Sequence, residues 1–200
     1  MSASSDAGIS GESEWIIGAD GLPYREAARV VVLDGRGRIF LIHGHDIDDV
    51  NHHWWFTVGG GLLTGEDARE GARRELAEET GLSVALERLE GPVLRRSALF
   101  HFIGETRRQD ETFFLLHLTE EEAEHVGTHQ ELTDLEREVL DEFEWWDIED
   151  LEALAHSAPV YPRSLPQLAR SWGQGWDGTC PFIEESTGIG TRHGLSGGAF

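Results

Sequence analysis

Three glutamates, Glu75, Glu78 and Glu79, stand at i, i+3 and i+4 within DAREGARRELAEET, the run from Asp67 to Thr80. That run reads as helix, and at this spacing the three carboxylates lie on one side within a turn. Like charges so placed repel by about a few tenths of a kcal/mol per pair, so a purely structural helix gains little from them. A hard divalent cation reverses the sign, because Mg2+ or Mn2+ takes several oxygen ligands and is commonly held by carboxylates together with substrate phosphates. The cluster therefore reads as a metal site in preference to the solvated face that most acidic runs make. Just upstream, Gly59-Gly60-Gly61 asks for unusual backbone geometry or close approach of a ligand. Glu66 and Arg74 are placed to form an ion pair that ties the loop LLTGE to the helix.

The elements that must hold these residues follow from patterning. Two aliphatic runs, Ala28 to Leu33 and Arg38 to His43, flank Asp34-Gly35-Arg36-Gly37 and predict a hairpin. A polar loop, Gly44 to His53, precedes the strand-like WWFTV that runs into the glycines. Ala68, Ala72, Leu76 and Thr80 give the helix an apolar stripe, with Thr64 or a neighbour as its cap and Gly81 as a left-handed stop. Further strands are expected at Leu94–Ile103 and Thr112–Leu118, across the polar turn GETRRQDE, and at Phe143–Trp146. Short helices are expected from Ile148 to Ala155, capped by Asp147, and from Leu165 to Trp172, with Pro166 in its first turn. This order argues for an α/β or α+β fold with a mixed sheet. Residues 1–20 read as a mobile arm pinned by Trp15-Ile16-Ile17, residues 21–172 as the domain, and residues 173–200 as a Gly- and Ser-rich mobile tail.

Composition narrows the chemistry. The sixteen basic residues are all arginine, which excludes Schiff-base lysine catalysis and a P-loop lysine. Against 38 acidic residues they leave a formal charge of −22, and residues 120–152 alone hold 15 acids and one arginine. Such a surface repels a polyphosphate, so nucleic-acid polymers are not expected partners, and a phosphorylated partner needs positive charge from elsewhere. The single cysteine, Cys180, excludes an internal disulfide and a CxxC metal site. No apolar run approaches the roughly 20 residues that span a bilayer, and MSASSDAGISGESE has no signal-like pattern. No membrane association is expected, and the cytoplasm is the default location.

Gly60, Glu66, Arg74, Glu75, Leu76, Glu78, Glu79, Gly81 and Leu82 fill every fixed position of G-x5-E-x7-R-E-U-x-E-E-x-G-U, where U is a bulky aliphatic residue. In this the sequence resembles the Nudix family closely, and WWDIEDL resembles the W-x-x-U-x-E-L segment of many Nudix domains, with Asp150 in place of Glu. The resemblance covers residues 26 to 155. It implies a Nudix-type α/β/α sandwich with a mixed sheet, hydrolysing a nucleoside diphosphate linked to another moiety. Mg2+, with Mn2+ as substitute, would be held by Glu75 and Glu79, by Glu78 in addition, and by the Gly59 carbonyl. Gly60, Glu66 and Arg74 would support that loop structurally. The general base would be Glu75 or an acid outside the box. A carboxylate from a later loop commonly completes such sites; Glu131, Glu136 and Glu138 are available, and Glu136 is favoured because TDLE shortly precedes the WW strand. Val58 stands where the family often has proline, which removes no ligand. Frequent Nudix dimers leave a homodimer open.

Substrate identity lies outside the box. Arg95, Arg96, Arg107 and Arg108 are candidates for a distal phosphate, against the plainer reading of exposed hairpin arginines. Phe102 is a candidate base contact among Trp54, Trp55, Phe100, Trp145 and Trp146, about half of which strand alternation sends into the core. His45, Asp46, Asp48, Asp49, His52 and His53 match no zinc or EF-hand spacing and read as a polar loop. Ser97 and Ala98 occupy the place where a proline would hint at ADP-ribose. The expected partner is a small-molecule nucleotide. The rival readings are a nucleotide sensor that does not cleave, which has no need of the whole glutamate cluster, and an interaction module using residues 120–152.

Overall fold

The computed structural model describes residues 15–187 except 48, 103, 128–131 and 133, and for residues 102, 134–136 and 187 the backbone alone. Its strands are β1 (Ile16–Ile17), β2 (Pro23–Asp34), β3 (Arg38–Asp46), β4 (Asp49–Phe56), β5 (Val58–Gly61), β6 (Glu90–Phe102), β7 (Glu105–Leu118), β8 (Leu140–Asp147), β9 (Val160–Tyr161) and β10 (Phe182–Thr187). The helices are α1 (Ala68–Thr80), α2 (Glu120–Ala123), α3 (Asp134–Val139), α4 (Leu151–Ser157) and α5 (Leu165–Trp172). The described strands form one mixed sheet with the path β10-β6-β7-β2-β3-β4-β9, while β1 and β5 pair with β2, and β8 pairs with β3. Pairing is parallel for β2 with β7, β6 with β10 and β4 with β9, and antiparallel elsewhere.

Strand β2 is buried on both faces, which is why its sequence is a continuous Val-Val-Val-Leu run and not an alternating one. Val30 and Val32 face a core that also takes Val58 of β5 and Ala72 and Leu76 of α1. Val31 and Leu33 face the opposite core, closed by Leu151 and Leu154 of α4 and Leu165, Ala169 and Trp172 of α5. Helices therefore cover both faces of a mixed sheet, an α/β/α sandwich.

Several local expectations need correction. Helix α1 is capped by Asp67 and not by Thr64: the Asp67 carboxylate accepts the Arg69 amide at 2.9 Å, and Gly81 closes the helix at φ 75°. The polar stretch from Gly44 to His53 is mostly strand, because its polar side chains pair across strands. His43 Nε2 lies 3.0 Å from His53 Nδ1, and His45 Nδ1 lies 2.9 Å from Asp141 Oδ1. Asp48 lies outside the described residues. GETRRQDE likewise enters β7, where Ser97 Oγ donates to Asp110 at 2.6 Å. Asp147 makes no side-chain cap; a 3-10 turn, Ile148–Asp150, leads into α4 instead. Within the segment expected to be a mobile tail, Phe182–Thr187 is a strand beside β6, because Ile183 packs on the core and Glu185 pairs with buried Arg96 at 3.1 Å. Within the expected arm, Ile16 and Ile17 pair with β2.

Candidate active site

Strand β5 and helix α1 share one core, and that packing sets the glycines of β5 against the inner carboxylates of α1. Glu75 and Glu79, one turn apart, are 7% and 3% exposed, unusual burial for glutamates. Glu79 Oε2 accepts the Gly59 amide at 2.7 Å. A Cβ on Gly60 would lie 2.7 Å from both Glu75 carboxylate oxygens, so only glycine admits the carboxylate there. Gly59 has φ +128°, and a Cβ on it would meet the Ala28 carbonyl at 2.2 Å.

Arg74 organises the loop beside this pair. Its guanidinium forks onto Glu66, with Nε to Oε1 and Nη2 to Oε2 both at 2.9 Å, and Nη2 also donates to the Gly61 carbonyl at 3.0 Å. Glu66 further accepts the Leu63 amide at 2.9 Å, closing the turn. The hydrogen bonds from Arg74 hold the Glu66 carboxyl below its ordinary range, against the opposing effect of burial. Arg74 Nη1 also contacts Glu75 Oε1 at 2.7 Å and Glu78 Oε2 at 3.0 Å. Glu78 is thus turned toward Arg74, with a side chain 40% exposed, while Glu75 and Glu79 point inward. Among the described residues, no group of three or more His, Cys, Asp or Glu side chains is arranged to hold a metal ion.

A second network lies under the Gly59 carbonyl, and the sequence alone did not single it out. That carbonyl accepts from Arg29 Nη1, which also reaches the Thr57 carbonyl at 3.3 Å. Arg29 Nε pairs with Glu111 Oε1 at 3.0 Å, Arg96 Nε with Glu111 Oε2 at 2.9 Å, and Gln109 Nε2 donates to Glu111 at 2.7 Å. Arg25 Nε donates in turn to Gln109. Burial alone would raise the Glu111 carboxyl, but Arg96 and Arg29 outweigh it and hold the group below its ordinary value. The available signal was polar side chains sharing one face of two strands, Arg25 and Arg29 four residues apart on β2 and Gln109 and Glu111 two apart on β7.

The structure therefore brings together Gly59, Gly60, Glu66, Arg74, Glu75 and Glu79, with Glu78 at the rim. Arg96 is buried between Glu111 and Glu185, whereas Arg95 projects exposed from the other face of β6. Glu138 is exposed on α3. The side chains of Glu136 and Phe102, and Glu131 altogether, lie outside the described residues.

Residues 23–168 match the description "NUDIX domain". The chain belongs to the Nudix family. Nudix enzymes are hydrolases of phosphorus-containing anhydrides. This Nudix chain is 46% identical over 69 residues to an RNA pyrophosphohydrolase of Dinoroseobacter shibae, an alignment covering 34% of this chain and 40% of that protein. Another RNA pyrophosphohydrolase, of Rhodospirillum rubrum, is 28% identical over 165 residues, covering 76% of this chain and 92% of the relative. In the matches of higher identity the chain thus spans 40% of the relatives' length. A crystal structure of a MutT protein from Bacillus halodurans shares the Nudix fold at a TM-score of 0.50 and 16% identity, over 82% of this chain and 91% of that one.

Proposed function

We propose that this Nudix domain is a Mg2+-dependent pyrophosphohydrolase that cleaves the phosphoanhydride linkage of a nucleotide, either an NTP or a nucleoside diphosphate linked to another moiety. The observation that carries the reading is the pair of buried carboxylates, Glu75 and Glu79, held against Gly59 and Gly60. Two acids seated in a protein interior need a compensating cation or a hydrogen-bond network. The donors here are oxygen throughout, which suits Mg2+, with Mn2+ as substitute, and not a soft metal. Glu75, Glu79 and the Gly59 carbonyl would hold the ion, with Glu78 in addition and a later acid such as Glu136 completing the set. When bound, the ion supplies positive charge at the phosphoanhydride and lowers the pKa of water.

The chain's own residues do the rest. Arg74 spans Glu66, Glu75 and Glu78 and fixes the loop to the helix before any ligand arrives. Arg29 holds the Gly59 carbonyl from below. Glu75, or an acid outside the box, takes the proton from the attacking water. For Glu79→Gln, which removes a charged ligand of the proposed ion, hydrolysis across a nucleotide panel should fall by about 10²-fold or more, at least the loss typical of the groups that merely support metal ligands. The same variant should bind Mn2+ more weakly in a titration followed by electron paramagnetic resonance. Absence of any nucleotide product from the unsubstituted protein, together with unchanged Mn2+ affinity in the variant, would sink the proposal.

The relatives' name favours a second substrate, the phosphorylated 5′ end of RNA. A chain of charge −22 is ill suited to a long RNA backbone, but a 5′ end asks only for contacts to its terminal nucleotide. Comparing kcat/KM for an NTP with that for a 5′-triphosphorylated oligonucleotide of the same first base separates the two.

A further inference from the structure

Trp15 is held in an unusual way. The Arg25 guanidinium carbon lies 4.4 Å from the centroid of its ring, that of Arg107 lies 4.8 Å away, and Phe100 meets it edge-on at 6.2 Å. The strand that follows it, β1, leaves Ile16 and Ile17 exposed, 57% and 72%, so the segment is not laid down to bury its aliphatics. What it delivers to the sheet is a half-buried indole with two guanidiniums against its ring. In a chain of charge −22, Arg25, Arg29 and Arg107 collect on alternate positions of the neighbouring strands β2 and β7, on one side of the sheet.

That cationic floor runs continuously into the candidate active site. From Trp15 the contacts pass through Arg25, Gln109, Glu111 and Arg29 to the Gly59 carbonyl. Strand register agrees: Tyr24 of β2 stands opposite Ile16, and Ala28 and Arg29 stand opposite Gly60 and Gly59. Arg25 and Arg29 are four residues apart on β2, about 13 Å at the usual strand rise. Burial and the charge of Arg29 pull the Arg25 guanidinium pKa down to about 10, with Glu75 acting in the opposite direction. An extended ligand with a planar ring at one end and a phosphoanhydride at the other matches this layout.

We propose that Trp15, backed by Arg25 and Arg107, is the platform on which the nucleobase of the substrate stacks while its phosphoanhydride lies against Gly59, Glu75 and Glu79. This rests on the reading of the Glu75–Glu79 site as the place of cleavage. Stacking on an indole accepts any base, so Trp15 favours nucleotides over base-free polyphosphates without selecting one base.

The test compares binding of α,β-methylene-ATP and of inorganic tripolyphosphate, each with Mg2+, by isothermal titration calorimetry on the full chain. Trp15→Ala should weaken the nucleotide analogue by about 5- to 150-fold, the range of single base–aromatic stacks, and leave tripolyphosphate affinity within about twofold. Trp15→Phe should restore most of the loss, and both variants should keep the thermal midpoint of the parent. Equal loss for both probes, or no loss for either, overturns the platform. A protein that hydrolyses NTPs but binds the analogue equally well with Trp15→Ala refutes the platform alone. One that binds the analogue through Trp15 and cleaves nothing refutes the hydrolase reading alone.

Discussion

Glu111 carries two arginines, Arg29 and Arg96, and through Arg29 it reaches the Gly59 carbonyl. Neutralising it by Glu111→Gln leaves the largely buried Arg29 guanidinium without its counter-charge and Arg96 with Glu185 alone, and removing one partner of a buried pair costs about 3–5 kcal/mol. Urea denaturation should read that loss as a lower midpoint with an unchanged slope. The same variant should weaken Mn2+ binding, since Arg29 loses the partner that aims it at the Gly59 carbonyl. If stability falls while metal affinity stays constant, Arg29 and Glu111 belong to the scaffold alone.

At the scale of the element, α1 and the loop before it are fastened by Glu66. Arg74 depresses the folded-state pKa of Glu66, so the pair's contribution to stability is fully present above the unfolded carboxyl value of about 4.3. It is lost as pH falls from there through the lower folded value. Glu66→Gln should therefore destabilise the protein at pH 7 and narrow its gap to the parent as pH drops below about 4, checked by thermal midpoints across pH. A gap that stays constant with pH would show the pair to be silent. These same residues explain what the sequence discloses and what it hides. The glycines, Glu66, Arg74 and the inward glutamates lie within one short strand, one loop and one helix that are consecutive in the chain, so their spacing maps directly onto geometry. Arg29 and Glu111 are 82 residues apart, and each alone reads as an ordinary strand charge. Only the parallel pairing of β2 with β7 brings them together, and no local signal specifies that pairing. The strand at Phe182–Thr187 was hidden for the same reason, since its partner β6 lies far back in the chain.

Across the whole molecule, β10 covers the edge of β6 and brings Glu185 to Arg96. A chain ending at Pro181 should lose several degrees of thermal midpoint and self-associate in light scattering, because a long edge strand is then left open. A monomeric truncated chain of undiminished stability would show β10 to be dispensable. The two limits of the described chain also meet: Trp15 packs on Phe100, and Thr187 stands in register with that same residue. The path of the fold is therefore nearly a closed ring. A short Gly/Ser bridge from Thr187 to Trp15, with new termini cut at the exposed turn of Gly35 and Arg36, would give a circular permutant that preserves every strand pairing while its ends emerge far from Phe100.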